Sequence, residues 1–181
     1  MIKNIIRILV IGLVGLSSVG RADHLPTKQQ ARGKPETRLA GIDLRRDKLA
    51  EVLARYGPPT KTKAWEQDNP KVSNSYDYYW NSQGITLKIV VERLPNLEYL
   101  TLIDVTGPRT RNRIGRTGRG LSLGDSLRDF HRFYGSRTKV RNISKFDIHD
   151  VMVQWHREEY SLVATLDRNN RITRLTLVPP E

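Results

Sequence analysis

"YDYYWNSQGITLKIVVERLPNLEYLTLI" (76–103) decides the fold, because the chain writes a near copy of it. Moved 75 positions, the stretch lies without a gap over "VMVQWHREEYSLVATLDRNNRITRLTLV" (151–178). Six of the 28 positions are identical: Trp80/Trp155, Leu87/Leu162, Arg93/Arg168, Leu100/Leu175, Thr101/Thr176 and Leu102/Leu177. Unrelated sequences would share about two, since no single residue type makes up much of a chain. The apolar pattern agrees as well. Ile85, Leu87, Ile89 and Val91 stand at every second position, and Tyr160, Leu162, Ala164 and Leu166 stand at the corresponding places. Strict alternation marks a strand with one buried face. "RLPN" (93–96) and "DRNN" (167–170) supply turns between strands, because Pro and Asn favour turn backbone geometry. Three antiparallel strands are predicted in each copy, near 74–81, 85–93 and 97–105, then 150–157, 160–167 and 171–178. "KTKAWEQ" (61–67) and "TKVRNIS" (138–144) could each add a fourth strand at the edge.

A helix precedes each set. Leu49, Val52, Leu53 and Tyr56 are spaced i, i+3, i+4, i+7, which puts them on one helical face. Leu127, Phe130 and Tyr134 repeat three of these positions, 78 residues later. Asp47 and Asp125 stand where N-caps are expected, and Gly57 and Gly135 where the helices should stop. Pro58 and Pro59 forbid continuation. Since the helices are offset by 78 and the strands by 75, the second helix–strand connection is expected to be three residues shorter. The predicted class is α+β: two repeats, each a short helix followed by a three- or four-stranded antiparallel meander. One such unit buries too little to be stable alone. Joined sheets, with the helices on one side, would give a shared core.

The unit "GLSLGDSLRDFHRFYG" (120–135), followed by a meander ending in "ITRLTL", resembles the β-lactamase-inhibitory-protein-like repeat. It is similar also to the small outer-membrane assembly lipoproteins of the BamE/SmpA kind. The second copy matches that pattern at Leu121, Leu123, Gly124, Ser126, Phe130, Tyr134 and Gly135. The first departs from it in "DLRRDKL" (43–49), which has one extra residue and no glycine beside Arg46. The resemblance spans about 41–105 and 120–178. It implies a protein-binding or envelope-assembly module, with the joined sheet gripping a partner. Single-repeat relatives are tethered through a lipid-bearing cysteine, which this chain lacks.

The ends and the composition bound the remaining possibilities. Lys3 and Arg7 precede an apolar run from Ile8 to Leu16, followed by Gly20 and Ala22 at the −3 and −1 positions of a cleavage site. A basic start, a short apolar centre and a small-residue exit describe a secretory signal peptide over 1–22. The run falls short of the roughly 20 apolar residues a spanning helix needs. Expected divisions then follow: a flexible segment at 23–38, repeat 1 at 39–107, an Arg-rich linker at 108–119 and repeat 2 at 120–181. With the signal peptide removed, no transmembrane segment remains, and the location is periplasmic or secreted. The chain carries 31 basic and 19 acidic residues, a net +12. Loss of Lys3, Arg7 and Arg21 leaves about +9, which favours anionic partners by long-range attraction. For an exported protein these are another envelope protein, a secreted enzyme, anionic lipid or a cell-wall polymer, and not nucleic acid. The absence of cysteine rules out disulfides, thiolate zinc sites and cysteine nucleophiles.

No catalytic or cofactor motif emerges, so neither an enzyme nor a cofactor is expected. There is no G-x-S-x-G stretch and no Gly-rich phosphate loop between a strand and a helix. His24 lies in a polar tail and His131 on the apolar helix face. Asp147 and His149 have no counterpart in the first copy that would complete a metal site. Glu158 and Glu159 read as a solvated hairpin turn. Trp80 and Trp155 read as core. Asp77, Tyr79, Lys88 and Thr101, with Gln154, His156, Ser161 and Thr176, fall on the opposite face. From these, Tyr79, Lys88, Gln154 and His156 are the candidate partner-binding residues. Arg109, Arg111, Arg113, Arg116 and Arg119 form the candidate anion-binding set. Arg109, Arg111 and Arg113 would point one way if the strand continued, with Gly115, Gly118 and Gly120 keeping the rest flexible. The leading reading is an exported non-enzymatic protein-binding or envelope-assembly module. The alternatives are a soluble inhibitor of a secreted or periplasmic enzyme and, third, a small periplasmic hydrolase.

Overall fold

A computed structural model describes residues 35–65, 74–135, 139–143, 148–155 and 160–178. Its class is α+β. A two-stranded hairpin, β1 (Arg38–Leu39) and β2 (Ile42–Asp43), leads into helix α1 (Leu49–Tyr56). Four strands follow: β3 (Lys61–Trp65), β4 (Asn74–Ser82), β5 (Ile85–Leu94) and β6 (Leu97–Thr106). A 3-10 turn at Arg113–Gly115 and helix α2 (Leu127–Tyr134) precede β7 (Lys139–Ile143), β8 (Ile148–Trp155), β9 (Tyr160–Leu166) and β10 (Ile172–Val178). All eight later strands join in one antiparallel sheet of order β3-β4-β5-β6-β10-β9-β8-β7. The fourth strands expected at 61–67 and 138–144 are therefore present, at the two edges. Among the described residues, no helix is long and apolar enough to cross a membrane.

Local chemistry accounts for the elements. Leu49 and Val52 of α1, and Phe130 and Tyr134 of α2, are buried at helical spacing. Both helices end at glycines in the left-handed region, Gly57 (φ 73°) and Gly135 (φ 87°), whose N–H groups return to Leu53 and His131. The N-caps correct the sequence reading by one residue: they are Lys48 and Ser126. Asp47 and Asp125 instead tie the turns before the helices, accepting from Asp43 N (3.1 Å) and Ser122 N (2.8 Å). The extra residue in the first copy lengthens that bond from three residues to four. Between β4 and β5, Gln83 (φ 50°) and Gly84 (φ 76°) form a two-residue hairpin whose geometry matches the strand twist.

One face of the sheet carries the core. Leu87, Ile89, Val91, Ile103 and Val105 meet Leu162, Ala164, Leu166, Leu175 and Leu177 beneath the helices. Trp80 belongs to it, with 5 % exposure and its Nε1 donating to Gly57 O at 3.0 Å. The gapless shift of 75 does not survive in the register, however. Trp80 pairs with Leu87, whereas Leu162 pairs with Val153 and Trp155 pairs with Tyr160. β8 is thus displaced by two positions. In β6 a bulge at Thr101 leaves Leu100, Ile103 and Val105 inward, and in β10 a bulge at Thr173 leaves Ile172, Leu175 and Leu177 inward. The two "TL" phrases therefore stand out of step: Leu177 is buried and Leu102 only half-buried. A core constrains which face a side chain occupies, and a bulge changes that without changing the words. Nor is the helix–strand connection shortened, since Lys61 and Lys139 keep the helices' spacing of 78. The shortening falls later and amounts to four residues, since 66–73 join β3 to β4 and 144–147 join β7 to β8.

The described part of one expected spacer and the whole of another are built into the fold. Glu36, expected in the flexible segment at 23–38, is 4 % exposed and accepts from the backbone N–H of Arg38 (3.0 Å) and Arg119 (3.1 Å). Residues 23–34 lie outside the described residues. The Arg-rich stretch is likewise ordered by pairing: Leu39 bridges Thr117, Ala40 N donates to Arg116 O at 2.9 Å, and Gly118 N to Arg38 O at 2.9 Å. β6 ends at Thr106, so no strand aligns Arg109, Arg111 and Arg113 on one side. Gly115 is buried rather than a flexible joint.

Candidate functional site: the open face of the sheet

Strand parity places a second set of residues on the face away from the helices. One row crosses the whole sheet through paired positions: Lys61, Tyr79, Lys88, Asp104, Thr176, Val163, Met152 and Lys139. Tyr79 and Lys88, both candidates from sequence, are neighbours in it. Gln154 pairs with Ser161 one step away along β8 and β9. His156 and Asp147 lie outside the described residues. His149 pairs with Leu166 rather than with any acidic position.

Two carboxylates organise this face from beneath. Asp77 is 3 % exposed and forms a 2.9 Å ion pair with Lys88, while Tyr79 donates to it at 3.1 Å. Burial opposes its ionisation, but hydrogen bonds from Lys88, Trp65 and Tyr79 outweigh burial and hold the carboxyl below its ordinary value. Burial first, and then the bond to Asp77, push the Tyr79 phenol upward. The Lys61 and Lys88 ammonium groups stand 5.9 and 5.7 Å from the Tyr79 ring centre. Asp104, at the seam of the sheet, receives Arg174 Nε at 2.7 Å and Thr176 Oγ1 at 2.6 Å. Buried anions thus fix Lys88 and Arg174 in place, leaving them partly exposed.

Sequence reading missed Trp65, Tyr99, Asp104 and Arg174. Trp65 is 49 % exposed, with Lys63 Nζ 3.2 Å from its ring centre, and Tyr99 is 38 % exposed and donates to Glu92 at 2.7 Å. Trp65 was legible only if 61–65 was accepted as a strand paired with β4. Thr101, assigned to this face from alternation, sits at the bulge, where its hydroxyl reaches Val90 O at 3.4 Å.

The five candidate arginines do not form one cluster. Arg116 donates through Nε to Ser122 Oγ (3.2 Å) and through a terminal nitrogen to Arg111 O (3.0 Å). Arg119 donates to Phe133 O (3.1 Å), and its guanidinium carbon lies 5.1 Å from the centre of the Tyr134 ring. Arg113 and Arg55 both reach the Gly41 carbonyl, at 3.4 and 2.6 Å. Arg109 and Arg111 are exposed. Half-buried His131 meets the Phe130 ring edge-on at 6.4 Å. Among the described residues, no group of three or more His, Asp or Glu side chains could hold a metal ion.

No protein-family model matches the chain, and no curated protein matches it. Among solved structures it is similar to a DUF4309 family protein, YjgB of Bacillus subtilis, with 14 % identity and a TM-score of 0.46. That likeness covers 84 % of this chain and 86 % of the other.

Proposed function

We propose that this chain is an exported binding module without catalytic activity, built from one helix-and-four-strand unit used twice. It offers the open face of its joined sheet to another protein of the cell envelope. The duplication is supported by self-pairing between equivalent positions. Leu39 bridges Thr117 at the 78-residue spacing that relates the helices. Asp104 pairs with Thr176 at the 72-residue spacing that superimposes the inward residues of β6 on those of β10. A two-fold relation between the halves passes through both pairs. The resemblance to the β-lactamase-inhibitory-protein-like repeat and the signal-like start point to the same kind of protein.

One observation carries the binding reading: a broad face whose exposed groups are held in place from below by buried Asp77 and Asp104. Eight strands at about 4.8 Å spacing, each roughly 25 Å long, give on the order of 800 Å², one side of a standard interface. Positioned cations and rigid aromatics on such a surface lose little entropy on docking. A photo-reactive amino acid at Tyr79 or Tyr99 should give a discrete adduct with one protein in intact cells. The same probe at exposed Arg128 on α2 should not. Adducts from Arg128 alone would overturn the reading. An envelope component in the adduct supports an assembly role, and a stoichiometric secreted enzyme supports an inhibitor.

A further inference from the structure

We propose that the free edge of β3 takes up an extended acidic segment of a partner protein as a ninth strand. This rests on the binding reading above but uses a different surface, the rim of the sheet rather than its face.

β3 ends the sheet and pairs only with β4 among the described residues. Half of its backbone N–H and C=O groups therefore point away from the sheet, which is a template for another strand. All five of its residues are exposed. That includes Thr62 and Ala64, which stand on the helix-bearing face opposite Tyr78 and Tyr76. Tyr78 itself is 8 % exposed. The helical layer stops one strand earlier, where Tyr56 of α1 meets Trp80 of β4 at 6.2 Å. Among the described residues, β3 projects past its cover as a shelf, open above, below and along its rim.

The side chains select the occupant. Lys61, Lys63 and Trp65 alternate along the open face of the strand, paired with Tyr79, Asp77 and Ser75. Lysines on an edge guard it against joining another copy of the same chain. The opposite edge strand, β7, carries Lys139 and Arg141 in its sequence, so either edge of a second copy would bring like charges together. An acidic strand reverses the sign. Cross-strand neighbours lie about 5 Å apart, and opposite charges there attract where like charges repel. Trp65, fixed through its bond to Asp77 yet half exposed, marks the end where the incoming strand should carry an apolar residue. The segment that fits has acidic residues at two alternate positions and an apolar side chain two further on. Backbone bonds would supply affinity and these three positions the selectivity.

The test uses the full chain and a short peptide alternating Glu and Thr with a terminal Phe, against a counterpart with Lys for Glu. Hydrogen exchange at 61–65 should slow with the Glu peptide and not with the Lys peptide. The double variant Lys61→Glu, Lys63→Glu should bind the Glu peptide roughly tenfold more weakly and gain the Lys peptide. Both lysines are exposed, so an unchanged far-ultraviolet spectrum is expected; should the variant misfold, the wild-type comparison still decides. Unchanged exchange at 61–65, slowing at 139–143 instead, or equal binding of both peptides would overturn the proposal. If cross-linking through Tyr79 or Tyr99 persists while the edge fails, only the edge assignment falls.

Discussion

Tyr134→Phe removes a single oxygen from the point where the two halves of the chain are tied together. The Tyr134 hydroxyl is buried, 2.8 Å from Glu36 Oε2 and 2.8 Å from Thr117 Oγ1. A phenol has one proton, and the carboxylate is the stronger acceptor, so Tyr134 donates to Glu36 while the Thr117 hydroxyl can donate back. A hydrogen bond to a charged group contributes about 1.5–3 kcal/mol, and leaving a buried carboxylate short of a donor adds to the loss. Glu36 would keep the backbone N–H groups of Arg38 and Arg119. The expected cost is thus about 2–3 kcal/mol, read from urea unfolding followed by tryptophan fluorescence. Combined with Glu36→Gln, the two changes should fall short of additivity by about 1 kcal/mol, because they break one shared contact. Exchange at 36–40 should also quicken, since this strap hangs on Glu36. The pH dependence has a definite sign. Burial first, with the Glu36 charge, raises the Tyr134 phenol far above its ordinary value. The unfolded chain gives up that proton near pH 10, so the contribution is whole below about pH 10 and is lost progressively above it. Tyr134→Phe should therefore lose stability less steeply than the wild type above pH 10. A loss under about 0.5 kcal/mol, with exchange at 36–40 unchanged, would refute this account of the strap.

Leu87→Ala and Leu162→Ala should each cost about 2–5 kcal/mol in denaturant unfolding, since both are fully buried on the core face. A negligible effect at both would mean that the face assignment is wrong. Arg111 and Arg116 are both exposed, but Arg116→Gln should cost about 1 kcal/mol through its side-chain bonds to Ser122 and Arg111 O, whereas Arg111→Gln, which leaves that carbonyl in place, should stay within about 0.5 kcal/mol. Equal melting temperatures for these two variants would show that the arginine stretch is a solvated connector after all.

Alternation in 85–91 and 160–166, the i, i+3, i+4, i+7 pattern in 49–56 and the closing glycines were readable from sequence because each is a local rule. Burial of one face enforces period two in a strand, and a helix end needs a residue tolerant of positive φ. The class, the helices, most strands and the polar character of Tyr79 and Lys88 followed from these rules alone. Register did not, because a bulge at Thr101 or Thr173 inserts one residue, so the inward positions step by three from Leu100 to Ile103 and from Ile172 to Leu175, and no local pattern marks where. The seam between β6 and β10, the strap through Glu36 and the exposed rim of β3 all depend on contacts between residues far apart in the chain. Local pattern carries no information on which of the many carboxylates, arginines or edges will meet, and only the packed structure decided it.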